Sequence, residues 1–415
     1  MILRVDVKKT GLGDRLTAMR GFDVIIVGAG AAGLSLAHAA ARIVIPGVGT
    51  PQIALVEPPA GAPRPKDRTW CFWEHGAGPW DEVLAARWDR LAVLSPTGVR
   101  HEQAIGPQSY KMLRSRDFEA HVRAGLAPNV HEYAATVTAI DDGFDRATVH
   151  ASRADGSRVS LQARRVFDSR PLCTPPAART TLLQHFRGWF VHTGQDAFDP
   201  GTALLMDLRT AQPHHGVSFG YVLPLSSREA LVEYTEFTRE VLDDAGYEAA
   251  LRRYTGEVLG LEGFTVAASE QGVIPMTDGN FPTRAGRCVF RLGAAGGATR
   301  PSTGYTFSGI QRQVASVVRS LERGRVPLPP SPHKRRHRAM DSVLLRALDS
   351  GRLDGAAFFA RLFARNDMRE ILDFLDGRSV LGRELLMGAT APVVPMSVTA
   401  LECAFRSLRP LRGTP

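Results

Sequence analysis

The sequence predicts an α/β protein: a parallel-sheet nucleotide-binding unit, interleaved with a second strand-rich unit and followed by a helical C-terminal region. Three observations carry that prediction. A short apolar run at 22–27 leads into a glycine-rich turn at 28–33, and a second such turn stands at 293–297. Between them lie stretches that alternate apolar and polar residues, the pattern of half-buried strands. After a proline-rich segment at 327–332 the periodicity becomes helical.

Each element follows in order. Residues 22–27 (FDVIIV) form a β-branched apolar run, the mark of a strand buried on both faces. Gly28 ends it. The Ala- and Leu-rich segment 31–43 predicts a helix. Gly and Pro break 45–51 into a loop, and 52–56 predicts a second strand ending at Glu57. This is a βαβ unit. A helix is expected over 116–126. Strands are expected over 136–140, 147–152 and 157–163, with hairpin turns at Asp142-Gly143 and Asp155-Gly156, and a short buried strand over 165–168. Longer alternating strands from 181 to 270, with helix around 242–254, predict a second, substrate-facing sheet. Residues 287–293 return as strand, and a helix is expected over 304–323. Helical segments 342–348, 355–365 and 367–375 complete the chain. The expected division is a disordered leader over 1–20, a nucleotide-binding domain over 21–175 and again over 285–326, a substrate domain over 176–284, and a helical tail over 327–415.

Composition excludes several classes. The 415 residues are 44 % hydrophobic and 22 % charged, enough for large packed cores. The net charge of +9 suits nucleic acid or an anionic membrane surface. Zinc-finger spacings, strand-borne RNA-binding aromatics and a long Lys/Arg stripe are all missing from the sequence, which excludes nucleic acid as the expected partner. The four cysteines show no CxxC spacing, and a reducing cytoplasm fits them. His214 and His215 would point to opposite faces of a strand and could not share a metal ion. No run approaches the roughly 18 apolar residues that span a bilayer.

The segment Gly28-Ala29-Gly30-Ala31-Ala32-Gly33 fits the dinucleotide fingerprint. Gly28 allows the tight turn, Gly30 lets a pyrophosphate approach the backbone, and Gly33 permits close helix–strand packing. The helix N-terminus at Ala31 and Ala32 faces the phosphates. Glu57 comes 29 residues after Gly28, the loop 45–51 accounting for the excess, and is expected to hold the adenosine ribose. The second turn, at Gly293, favours FAD over NAD. It reads Gly293-Ala294 where many flavin hydroxylases carry Gly-Asp. Nucleotide-binding segments on both sides of a strand-rich region match the threading of the p-hydroxybenzoate hydroxylase type.

Seven ordered motifs lie downstream. They are 67–73 (DRTWCFW), 184–188 (QHFRG), Met206-Asp207, 221–225 (YVLPL), 232–237 (VEYTEF), 272–276 (GVIPM) and 300–305 (RPSTGY), with 375–378 (LDGR) and 391–396 (APVVPM) in the tail. As a set they resemble the bacterial, FAD-dependent lycopene beta-cyclases. The resemblance implies a net-redox-neutral cyclisation. An acid protonates the terminal double bond of lycopene, the next double bond closes a ring on the cation, and a base removes a ring proton. Both ends treated so give beta-carotene by way of gamma-carotene. It implies reduced FAD as an electrostatic partner and NADPH as its reductant. Glu233 takes the position of the family's leading acid, with Tyr234 where relatives often carry a second acid. Asp207 is implied as base or orienting group and Glu236 as a further carboxylate, although 236 and 233 would face opposite sides of a strand. Arg68 is implied near the flavin. Pro301, Ser302, Thr303 and Gly304 are implied as a turn whose N–H groups meet the cofactor, and Trp70, Phe72 and Trp73 as tunnel lining. A substrate confined to membranes turns the basic run 334–338 (KRRHR) and the amphipathic tail into candidates for peripheral attachment at the inner face of the cell membrane. The alternative class is a flavin-dependent monooxygenase or reductase acting on an isoprenoid.

Overall fold

The computed structural model describes residues 20–62 and 67–405, so the expected leader lies outside the described residues except at its last position. One seven-stranded sheet is built on Arg20–Val27. This strand runs parallel to Ile53–Glu57 on one side and to Arg158–Asp168 on the other. Val130–Ala134 extends the first edge in parallel, and Val289–Arg291 pairs in parallel with the end of Arg158–Asp168. A hairpin of Thr136–Asp142 and Ala147–Ser152 adds antiparallel to the other edge. Val24, Ile25, Ile26 and Val27 are buried, which explains their unbroken apolar run. The strands expected at 157–163 and 165–168 are one strand of 11 residues. Its first half pairs with the hairpin and its second half with the parallel core.

A second seven-stranded sheet runs in the order Phe264–Thr277, Thr181–Thr193, Glu229–Thr238, Val217–Pro224, Thr202–Asp207, Arg90–Leu94, Arg100–Ala104. Its last two strands come from within the segment 21–175, so that stretch does not belong wholly to the nucleotide-binding domain. Leu91 and Val93 face one core, Ala92 and Leu94 another. A run buried on both faces has no periodicity to say which sheet it joins.

A small sheet of Thr69–His75, Gln108–Arg114 and Leu84–Trp88 stands between the two. Alternation along Thr69–His75 sends Trp70 and Phe72 into the nucleotide-domain core against Phe118 and Phe307. Cys71 and Trp73 go to the opposite core.

The tail is no appendage. Helices Arg335–Asp349, Gly355–Arg365 and Met368–Leu375 bury Leu345, Leu348, Phe359, Phe363, Ile371 and Leu372 in the core of the second sheet. Each such side chain contributes roughly 1.5–3 kcal/mol. The first of these helices starts seven residues before the expected 342, because its basic start is partnered. Arg336 and the buried His337 both donate to Glu384. The run 334–338 is therefore only partly an open basic surface. Beyond it, Leu381–Gly388 and Val393–Phe405 leave Leu385, Leu386, Val393, Val394, Leu401 and Phe405 exposed. No single helix among the described residues is long and apolar enough to cross a membrane.

Candidate active site

The two glycine turns meet at one cradle. Gly28 has φ +95°, and a Cβ there would sit 2.6 Å from Ser169 Oγ. At Gly33 a Cβ would fall 1.8 Å from the Gly28 carbonyl oxygen, so only glycine lets helix Ala31–Ala40 start flush against the strand end. At Gly30 a Cβ would meet nothing within 4 Å, which leaves backbone open to a ligand. No acidic side chain in the first turn opposes the positive helix end. Gly293, at φ +69°, lies against Ala32, whose Cβ would be 2.9 Å from its own. Glu57 ends its strand and accepts from Arg123 Nη2 at 2.6 Å. The Arg68 side chain is exposed, while its backbone exchanges hydrogen bonds with Ser115. Sequence reasoning missed Arg114, one residue before. Its guanidinium lies 4.3 Å from the Phe190 ring centre, and its buried Nε has no partner. An open Gly30 fits a phosphate-bearing dinucleotide, whereas Arg114 lies against Phe190 and close enough to Glu270 to act on its carboxyl. The available signal was a basic residue at a strand–helix junction.

The acid stands on the second sheet. Glu233 opposes Gly188 on one side and Tyr221 on the other, and Gly188 opposes Glu270. Residues opposed across strands share a face. Tyr221, Glu233 and Glu270 therefore project together, over a floor left bare at Gly188. Phe219, Leu223 and Leu231 on that face belong to the apolar core, with Phe190 packed against it. Glu233 is 7 % exposed and Glu270 8 %. Thr235 Oγ1 donates to Glu233 Oε1 at 2.7 Å, and Thr69 Oγ1 donates to Glu270 Oε2 at 2.7 Å. Among the described residues no Lys or Arg pairs with either carboxyl. Burial, reinforced by the Glu270 charge, pushes Glu233 up to about 8. Burial also raises Glu270. Sequence reasoning missed Glu270 because its edge strand is mostly exposed and lacks an apolar rhythm.

A tyrosine cluster closes over this face. Tyr110 Oη lies 2.5 Å from Tyr221 Oη and 2.8 Å from Tyr305 Oη. Trp73 packs edge-on against Tyr305 at 4.7 Å. Of the three expected lining aromatics, Trp73 is at the site and Trp70 and Phe72 are nucleotide-domain core. The 300–305 turn is braced by a buried ion pair, Arg300 Nε to Asp341 Oδ2 at 2.8 Å, and by Ser302 Oγ donating to Asp341. Two of its expected N–H groups are already taken. Those of Thr303 and Gly304 donate to the Arg300 carbonyl. Pro301 is buried and Gly304 abuts Gln184, so the turn positions Tyr305.

Two expected carboxylates lie elsewhere. Asp207 opposes Gly220, which opposes Tyr234, placing it on the face away from Glu233. There it pairs with Arg209 at 2.6 Å and accepts from Tyr254 Oη at 3.1 Å. Glu236 shares that far face, accepts from Tyr234 Oη at 2.8 Å and lies 3.6 Å from His185 Nε2. The sheet separates both from Glu233, which removes them as its direct partners.

A family model described as "Lycopene cyclase protein" matches residues 23–401. A comparison with curated proteins returned no match. Among solved structures, a geranylgeranyl bacteriochlorophyll reductase-like protein from Thermoplasma acidophilum superposes with TM-score 0.58 at 13 % identity, covering 92 % of this chain and 98 % of that one. The p-nitrophenol 4-monooxygenase PnpA from Pseudomonas putida DLL-E4 gives 0.56 at 14 %, covering 93 % and 98 %. The rebeccamycin biosynthetic enzyme RebC with reduced flavin gives 0.53 at 16 %, covering 93 % and 76 %. The fold is accordingly the mixed α/β fold of the p-hydroxybenzoate hydroxylase type, with a helical C-terminal region.

Proposed function

We propose that this chain, which belongs to the lycopene cyclase family, binds FAD in its glycine cradle and closes β-ionone rings on lycopene by acid–base chemistry. One observation carries the reading. Glu233 is a buried carboxyl raised to about 8, so it is mainly protonated at neutral pH. It stands on an apolar face beside aromatic rings. A protonated acid there can donate to a terminal double bond. Apolar walls of this kind would accept a hydrocarbon and exclude the water that would trap a carbocation. Tyr221, Tyr305 and Trp73 offer ring faces that favour a cation. Gly28, Gly30, Gly33 and Gly293 would hold the dinucleotide. When bound, FAD in its reduced form would supply electron density near the cation without being consumed, NADPH being the candidate reductant. The Gly293-Ala294 turn, without the acid of many flavin hydroxylases, supports this reading over a monooxygenase. The exposed Leu385, Leu386, Val394 and Leu401 support peripheral attachment at a bilayer, where such a substrate resides.

Expression in lycopene-accumulating bacteria tests the proposal. Conversion to ringed carotenoids is expected, and its loss in Glu233→Gln with FAD retained. Unchanged lycopene beside folded, FAD-loaded wild-type protein would overturn it.

A further inference from the structure

We propose that Glu270 is the second catalytic carboxyl, taking the ring proton that Glu233 chemistry makes acidic. The inference rests on the cyclase reading above. Its basis is the row Glu233–Gly188–Glu270 across three neighbouring strands. Adjacent strands lie about 4.8 Å apart, so the two glutamate Cα atoms stand about 10 Å apart on one face. The residue between them has no side chain. At that position a Cβ would lie 2.8 Å from Leu231 Cδ1 and 3.5 Å from Glu233 Cβ, so any other residue would displace Leu231 and crowd Glu233. The two carboxyls thus rise from one face, with no side chain on the strand position between them.

The surroundings treat the two carboxyls alike. Both are more than nine-tenths buried, and each accepts one threonine hydroxyl, Thr235 for Glu233 and Thr69 for Glu270. A buried acidic pair that no Lys or Arg bonds directly holds one proton more readily than two charges. Burial and the coupling of the pair raise Glu233, while the nearby Arg114 works against the rise at Glu270. Arg114 thus favours the charge on Glu270 over Glu233, the order of roles a proton-in, proton-out reaction requires.

The steps balance. The Glu233 O–H bond breaks and its proton forms a C–H bond at the terminal alkene, leaving a tertiary cation. The next alkene's π pair forms the ring C–C bond and moves the cation into the ring. A ring C–H bond then breaks, its electron pair becomes the ring double bond, and the proton goes to Glu270. After product leaves, that proton passes back to Glu233 through admitted water. No electron is gained or lost.

The test uses FAD-loaded protein reduced with dithionite and lycopene in phospholipid vesicles. Glu270→Gln is expected to cut cyclisation by about a hundredfold or more, the usual weight of general acid–base catalysis. FAD content should stay at the wild-type value, and the melting temperature should not fall. In D2O, lycopene recovered from Glu270→Gln should carry deuterium, because protonation still occurs and reverses, whereas lycopene recovered from Glu233→Gln should carry none. Wild-type rate in Glu270→Gln, or no deuterium in its recovered lycopene, would overturn the assignment. If Glu270→Gln fails to load FAD, Glu270→Asp carries the test. It keeps the charge with a shorter reach, and a rate unchanged from wild type would equally overturn it. A wild-type protein that leaves lycopene untouched would instead fail the cyclase reading itself.

Discussion

Replacing Glu233 by glutamine should change the pH dependence of folding, with a sign set by burial. The carboxyl rises from 4.5 to about 8 in the folded chain. At about 1.4 kcal/mol per tenfold change in proton affinity, that rise corresponds to on the order of 5 kcal/mol. Below the unfolded value both states carry the proton and the wild type suffers no penalty. Between about 4.5 and 8 the unfolded chain ionises while the folded chain does not, so stability falls as pH rises. Glutamine is neutral throughout and keeps the shape. The variant should match wild type near pH 4.5 and exceed it progressively, with the gap complete above about pH 8. Urea unfolding of the FAD-loaded proteins at several pH values measures this. Parallel curves for the two proteins would show that Glu233 is already ionised in the fold, and would refute the argument for a neutral acid.

Three further outcomes follow. Gly33→Ala places a Cβ 1.8 Å from the Gly28 carbonyl oxygen; overpacking of this kind costs about 1–3 kcal/mol or more, and the variant should lose bound-flavin absorbance. Asp207→Asn weakens the contacts of a buried carboxylate with the part-exposed Arg209 and with Tyr254 on the far face. It should lower stability by about 1–3 kcal/mol yet leave cyclisation per FAD-loaded molecule unchanged, and a large loss of that rate would restore Asp207 to the site. Leu385→Glu with Leu401→Glu, both on the exposed tail face, should reduce co-sedimentation with vesicles. Each change should alter stability by no more than about 0.5 kcal/mol, as is usual at such surfaces.

What sequence reasoning could reach depended on whether local chemistry determined position. The glycine turns were legible because Gly28 and Gly33 answer to backbone contacts within a few residues. Glu233 was legible through the motif around it, and alternation alone set it opposite Glu236. Asp207 was not. A register irregularity between Leu204 and Asp207 changes which face the strand presents, and no parity count along the sequence detects it. Glu270 stayed hidden because its partner is Gly188, some eighty residues away, and pairing across strands is a tertiary fact. That Arg90–Leu94 and Arg100–Ala104 join the second sheet is hidden for the same reason. In the tail, the helical periodicity was readable, but not that Asp341 would brace Arg300 or that Glu384 would partner Arg336.

In the proposed cyclisation a protein acid adds one solvent-derived hydrogen while the flavin exchanges no electrons with the substrate. Product formed in D2O by the dithionite-reduced, FAD-loaded protein measures this directly, by mass spectrometry of the carotenoids. The predicted product carries one deuterium per ring and is otherwise an isomer of lycopene. A product lacking deuterium, or one that has gained two hydrogens or an oxygen atom, would contradict it.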